Sequence, residues 1–262
     1  MYTKEDLKKQ LECMNIQKND TVLIHTSMKA IGEVENGAEG VIDAFCEYLE
    51  DGLFLVPTHT WLSVHAQSPV YDVTTAPACI GILPQLAAFR KDGVRSLHPT
   101  HSIWGHGKNA AEFLKGDEVA YSGGTPGCSW SRLGDINAKI LLIGVGHDSN
   151  TFIHSLEEKA GLPDRLSPEP SYIVTVVDAH GNRYTHPYYY NHCSKTPNVS
   201  HFYTNFDKPL TEMGAQTFGK LGNAEVRVVD AKKCQEVILR IYERAEEDIF
   251  TDYCDIPEEL YR

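Results

Sequence analysis

The 262-residue sequence has no apolar run approaching the roughly 18 to 20 residues that span a bilayer. Its start, "MYTKEDLKKQLECMNI", has neither the apolar core nor the small-residue cleavage site of a secretory leader. It reads instead as an amphipathic helix with Thr3 and Asp6 set as a capping box. These absences predict a cytoplasmic protein with no membrane partner. An excess of positive charge is missing too. The 36 acidic and 24 basic residues give a net charge of −12, which argues against nucleic acid and suits a cationic small molecule. Seven scattered cysteines include no CxxC pair, so free thiols are expected and a disulfide frame or zinc ribbon is not. Linkers, repeats and low-complexity tracts are also absent. A chain of this length buries one sizeable core, so a single domain, 1–262, is predicted.

What is present alternates between strand and helix signals. "DTVLIHTSM" (20–28) reads as a buried strand and "GAEGVIDAFCEYLE" as the helix after it, apolar at helical spacing. "GLFLVPTHTW" (52–61) reads as a strand broken by Pro57, and "ACIGILPQLAAFRK" (78–91) as a helix. "VRSLHPTHSIWGHG" (94–107) is too rich in His, Pro and Gly for regular structure, "NAAEFLKG" gives a short helix, and "AKILLIGVG" is the most hydrophobic strand. Residues 170–206 alternate polar and aromatic residues around a hairpin signal at His180-Gly181-Asn182. "NAEVRVVDAKKCQEVILRIYERAEEDI" adds a strand and a long helix. The pattern predicts α/β: a central mixed sheet flanked by helices, with an antiparallel addition in the C-terminal half.

Chemistry concentrates in "GVGHDSNTFIHSLEEKAG" (144–161). A helix starting near Asp148 or Ser149 would point its N-terminus at the carboxyl edge of the preceding strand, where α/β folds place ligands. Thr151, His154 and Glu158 would share a face, with Glu157 one turn beyond His154. A histidine beside a carboxylate has the makings of an oriented general base. The same spacing also describes an ordinary capped helix with a packed histidine and a solvated Glu pair. His98, His101, His192 and His201 offer a metal-dependent hydrolase as an alternative, although the Pro after His98 and the lack of a clustered carboxylate favour ordinary loop histidines and no metal. Gly32, Gly37 and Gly40 match neither phosphate-loop pattern.

Taken in order, "VLIHTSMKAIGEVENGAEGVIDAF", "LVPTHTW", "PACIGILPQLAAFR", "VRSLHPTHSIWGHG", "ILLIGVGHDSNTFIHSLEE" and "GNAEVRVVDA" resemble the aminoglycoside 3-N-acetyltransferase family. The resemblance implies acetyl-CoA as cosubstrate and an amine of a 2-deoxystreptamine antibiotic as acceptor, chemistry associated with antibiotic resistance; a monomer or homodimer is expected. It makes His154 the base, with Asp148 or Glu157 orienting it. It assigns the coenzyme groove to His25, Thr26, Ser27, Ile31, Gly32, Arg95, Ser96 and Thr151, and sets His98 and Ser102 beside the groove. Asp72 would serve as an acceptor-side carboxylate. Two places depart from the family pattern: Cys128 stands where Ser is expected, and "NVSHFYTNFDKPL" carries only Asp207 where an acidic element is expected. The same chemistry on another amine, and an inactive acetyl-CoA-binding homologue, are the remaining readings.

Overall fold

The computed structural model describes residues 1–245 and 250–262. Its strands, in chain order, are β1 (Thr21–Thr26), β2 (Leu53–Pro57), β3 (Val70–Asp72), β4 (Val94–Arg95), β5 (Ile103–Gly107), β6 (Lys139–Ile143), β7 (Tyr172–Val177), β8 (Arg183–Tyr188), β9 (Gln216–Leu221) and β10 (Ala224–Asp230). Seven of them form one mixed sheet in the order β4-β5-β2-β1-β6-β10-β9. β2, β1 and β6 run parallel at its centre, while β5 and β10 pair antiparallel on either side. The expected antiparallel addition is the β7–β8 hairpin, which β3 extends in parallel into a separate small sheet.

The central strands are apolar through their middles, Val22–Ile24, Leu53–Val56 and Ile140–Ile143, because both faces are covered. Leu23, Leu55, Ile140 and Leu142 pack on one side with Trp130, Phe152, Leu156 and Ile238. Val22, Ile24, Phe54, Leu141 and Ile143 pack on the other with Leu7, Leu11, Val41 and Phe45. The first of those helices, Lys4–Cys13, starts at Thr3 with the expected capping box.

Three stretches differ from the sequence expectation, and a fourth is described only in part. Residues 94–107 contain β4 and β5, because pairing with β2 overrides weak local propensity and Gly105 lets Leu55 and Leu114 close over the backbone. The helix expected over 78–91 is cut to Ile82–Ala87 behind Gly81, whose φ is +122°. Residues 199–206 form a 3-10 helix and not an alternating strand. The last helix runs Ala231–Arg244, and residues 246–249 of the expected helix lie outside the described residues. None of the helices among the described residues is long and apolar enough to cross a membrane, and no disulfide joins cysteines among the described residues.

The parallel strands bring the ends of β1, β2 and β6 to one edge of the sheet, the usual ligand position in such folds. At that edge Gly144 leaves β6 with φ +66°, and a Cβ there would stand 2.3 Å from that of Ala30. Left-handed backbone and overpacking each cost a non-glycine residue, together about 2–4 kcal/mol. Gly144→Ala is therefore expected to lower unfolding free energy by that amount in a urea titration, with Ala30→Gly restoring part of the loss.

Histidines form much of the interior near this edge. Burial pushes His25 and His98 down to about 3, holds His59 and His101 well below the ordinary range, and lowers His147. These groups stay neutral in the folded chain, whereas the unfolded chain takes up protons as pH falls through about 6.5. Stability is then fully present above that pH and falls progressively toward pH 3, by up to about 1.4 kcal/mol per pH unit for each such group. Denaturation at pH 7, 6 and 5 is expected to show more than one proton taken up on unfolding at the lower end; a flat profile would contradict it.

Candidate active site

The helix Phe152–Lys159 begins later than the sequence suggested. A 3-10 turn, His147–Ser149, precedes it, and Thr151 occupies the cap position without a side-chain cap bond. Asp148 is left exposed on that turn and does not cap the helix. One turn into the helix, His154 Nδ1 lies 3.2 Å from Glu157 Oε2, 2.7 Å from the Tyr203 hydroxyl and 3.2 Å from Asn191 Nδ2. Tyr203 donates its proton to Glu157 Oε2 at 2.5 Å. Burial and the adjacent Glu157 carboxylate hold the Tyr203 phenol well above its ordinary value, so it stays protonated. A hydroxyl has one proton, so a donor to Glu157 can only accept from Nδ1. The histidine then carries its proton on Nδ1, which requires Asn191 to turn its amide oxygen and not its NH2 toward that nitrogen, and leaves Nε2 as the nitrogen available to a ligand.

The carboxylate behind this arrangement is 1% exposed, a costly position for an unpaired charge. Arg165, equally buried, supplies the opposite charge by donating Nε to Glu157 Oε1 at 2.7 Å. Arg165 sits on the loop after the helix, and its backbone carbonyl accepts from His192 N at 3.0 Å, which ties the Asn191 segment to that loop. Glu158, expected on the His154 face, turns instead to Ser122 Oγ and Gly124 N at 2.6 and 2.8 Å, and burial raises its pKa.

His154 opens on a cleft of about 770 Å³ at the carboxyl edge of the central strands. His25, Thr26, Asp148 and Thr151 also line it, and among the described residues Asp148 is the single carboxylate on the wall, with no Lys or Arg beside it. The other residues suggested by the resemblance lie off the cleft wall. Ser27 caps a short helical turn through Ala30 N, Ile31 is fully buried, and Gly32 has φ +87° against Asn223. Arg95 donates to the carbonyls of Thr58 and Ala76 and to the hydroxyls of Thr58 and Ser102. Ser96 accepts from Ile103 N, and Ser102 donates to Thr58 O. His98 accepts from His101 N at Nδ1 and donates through Nε2 to Ser122 O. Asp72 closes a turn on Thr74. The physical reason is common to all: these loops must satisfy their own buried polar groups, and their side chains turn inward to do so. Their effect on the site is indirect, since Arg95 and Ser102 brace the segment that carries His59.

Sequence reasoning passed over Tyr203, Asn191, Arg165, His59 and Trp61. Tyr203, Asn191, His59 and Trp61 line the cleft, and Arg165 lies behind it. The quoted "PTHTW" contained two of them, but the contacts of Tyr203 and Arg165 join distant segments and leave no local spacing signal. Asp207, the carboxylate noted in the altered segment, pairs with Arg227 at 2.7 Å. The four histidines weighed as metal ligands do not converge: His192 is exposed beside Asp164, His201 is exposed, and His98 has both ring nitrogens engaged. Among the described residues Cys46, Asp92 and His106 are the group of metal-capable side chains that do approach one another, outside this cleft.

The chain is 26% identical over 179 residues to a Bacillus subtilis (strain 168) prophage-derived aminoglycoside N(3')-acetyltransferase-like protein, covering 59% of this chain and 64% of that one. It is 29% identical over 181 residues to aminoglycoside N(3)-acetyltransferase VIII of Streptomyces fradiae, covering 62% and 63%. The aligned part thus spans less than two thirds of either relative. In fold it is similar to a histidine-to-alanine mutant of the acetyltransferase AAC(3)-IVa in complex with a gentamicin (TM-score 0.73, 23% identity, 89% and 85% covered). It is likewise similar to AAC-IIIb in a binary complex with CoASH (TM-score 0.74, 19% identity, 89% and 93% covered). The sequence profile described as aminoglycoside 3-N-acetyltransferase matches residues 23–243, most of the chain, and the chain therefore belongs to that family.

Proposed function

We propose that the chain transfers the acetyl group of acetyl-CoA directly to the 3-amino group of a 2-deoxystreptamine aminoglycoside, with His154 as general base. The observation that carries the reading is the buried Glu157–Arg165 pair with Tyr203, which fixes the Nδ1–H form of His154 and offers Nε2 to the cleft. An ammonium has no lone pair for a thioester carbonyl, so the acceptor must lose a proton, and an imidazole held this way takes it. The tetrahedral oxyanion needs donors. Thr151 lines the cleft with a hydroxyl free of capping duty, beside the first N–H groups of the helix. Family membership and the relatives named as acetyltransferases support the reaction, as do the CoASH and gentamicin complexes of the structural neighbours.

The acyl donor fits the wall in part. His25, Thr26 and Thr151 border the groove, while the absence of Lys and Arg leaves no cation for the coenzyme phosphates. The pantetheine arm is then the part that enters, and the phosphates stay at the mouth. Cys128 and Cys193 are not needed for direct transfer, and burial pushes the Cys128 thiol up to about 12, away from thiolate chemistry. One observation favours a second acceptor class. With Asp148 as the lone wall carboxylate and Asp207 spent on Arg227, a less highly charged amine also suits the cleft.

Removing the base separates chemistry from binding. His154→Ala is expected to lower acetyl-CoA turnover with an aminoglycoside acceptor by about 10²-fold or more while acetyl-CoA affinity stays near that of the wild type; a fully active variant would remove His154 from the mechanism. The net charge of −12 adds a second expectation. Affinity for a polycationic acceptor, measured by calorimetry across an ionic-strength series, is expected to weaken as salt rises, and salt-independent affinity would contradict capture by charge.

A further inference from the structure

His59 is 2% exposed, yet neither ring nitrogen has a hydrogen-bond partner among the described residues. Folded chains rarely leave a buried polar side chain in that state, because the group has given up water for nothing. Packing alone does not explain the choice. The ring is held at 4.7 Å from both Trp61 and His101 and 5.6 Å from Trp130, and an apolar side chain would fill that space without orphaned atoms. His59 follows Pro57 out of β2, and both line the same cleft as His154. His25, on the same wall, has a second buried ring nitrogen, Nε2, without a partner among the described residues.

The surroundings restrict what these rings can hold. Burial and the neighbouring His101 and His25 keep His59 uncharged, so it offers a neutral N–H and a lone pair. The wall brings no Lys or Arg for an anion, and its one carboxylate, Asp148, sits on the exposed turn before the His154 helix, on a different element. A dry, neutral donor suits an uncharged carbonyl oxygen that gains charge during reaction, not an ammonium or a phosphate.

We propose that His59 donates a hydrogen bond to the thioester carbonyl oxygen of the acyl donor. The inference rests on the acetyl-transfer reading given above. In the reaction the amine nitrogen pair forms the new C–N bond while the carbonyl π pair moves onto the oxygen, which His59 holds as a donor additional to the Thr151 hydroxyl. The acceptor attacks as the free amine, its ammonium proton having passed through His154 to solvent, and one of the two remaining protons on nitrogen then passes to His154. Collapse restores the carbonyl and breaks the C–S bond, the sulfur leaves with its pair, and it receives the proton from His154. Of the three aromatic neighbours Trp61 is the exposed one, at 40%, and access of the carbonyl oxygen to the His59 ring requires it to turn aside.

The test uses the full chain, its His59→Leu and His59→Gln variants, and acetyl-CoA isotope-labelled at the carbonyl carbon, followed by difference infrared spectroscopy. The wild type is expected to shift the bound carbonyl band to lower frequency. His59→Leu is expected to lose that shift and to lower turnover by about 10²-fold. It should also raise the melting temperature of the free protein, since the orphaned atoms are gone. His59→Gln, which keeps a donor, is expected to retain part of the shift. A shift unchanged in His59→Leu, or a variant that melts lower or fails to fold, overturns the role of His59 and leaves the acetyl-transfer reading intact. A wild type that binds no acetyl-CoA overturns that reading, and this inference falls with it.

Discussion

The ion pair between Glu157 and Arg165, almost fully removed from water, is the constraint around which the site is organised. Two opposite charges are tolerable at that depth only when matched to each other and to further hydrogen bonds, and removing one partner strands the other. Meeting that condition recruits three separate segments. The helix after β6 brings Glu157 and His154, the next loop brings Arg165, and the 3-10 helix at 199–206 brings Tyr203. The buried pair therefore holds a histidine in one tautomer and one orientation, which an exposed His–Glu pair on a helix surface does not do.

The sheet supplies the other requirement, a place for the reaction. Three parallel strands whose side chains are buried on both faces end together, and their loops form a cleft with neutral, aromatic walls. Within it the charges are separated by element. Asp148 stands exposed on one side, and the histidines kept neutral by burial stand at the ends of β1 and β2. Such a division suits a reaction that joins a cationic amine to an uncharged thioester.

Much of this was legible in the sequence. The double-faced apolar runs of β1, β2 and β6 identify a buried parallel core, and "DSNTFIHSLEE" carries the His154–Glu157 spacing on a helix. Spacing left open whether Asp148 or Glu157 orients the histidine. The structure places Glu157 against Nδ1 and Asp148 on the exposed turn, because the helix starts only at Phe152. The rest was hidden for a physical reason. Arg165, Asn191 and Tyr203 reach the site through loops whose paths depend on tertiary packing. Arg95, Ser96, His98 and Ser102 are ligand contacts only by the family resemblance, and in the structure loop closure consumes their polar groups first.

The measurement that bears most directly on the account is acceptor-dependent thiol release from acetyl-CoA by the purified chain across a panel of aminoglycosides, with the product examined by NMR. The account predicts release that depends on the aminoglycoside and an acetyl group on its 3-amino nitrogen. Acetyl-CoA binding with no release for any acceptor amine, or acetylation that continues unchanged in Glu157→Gln, would contradict it.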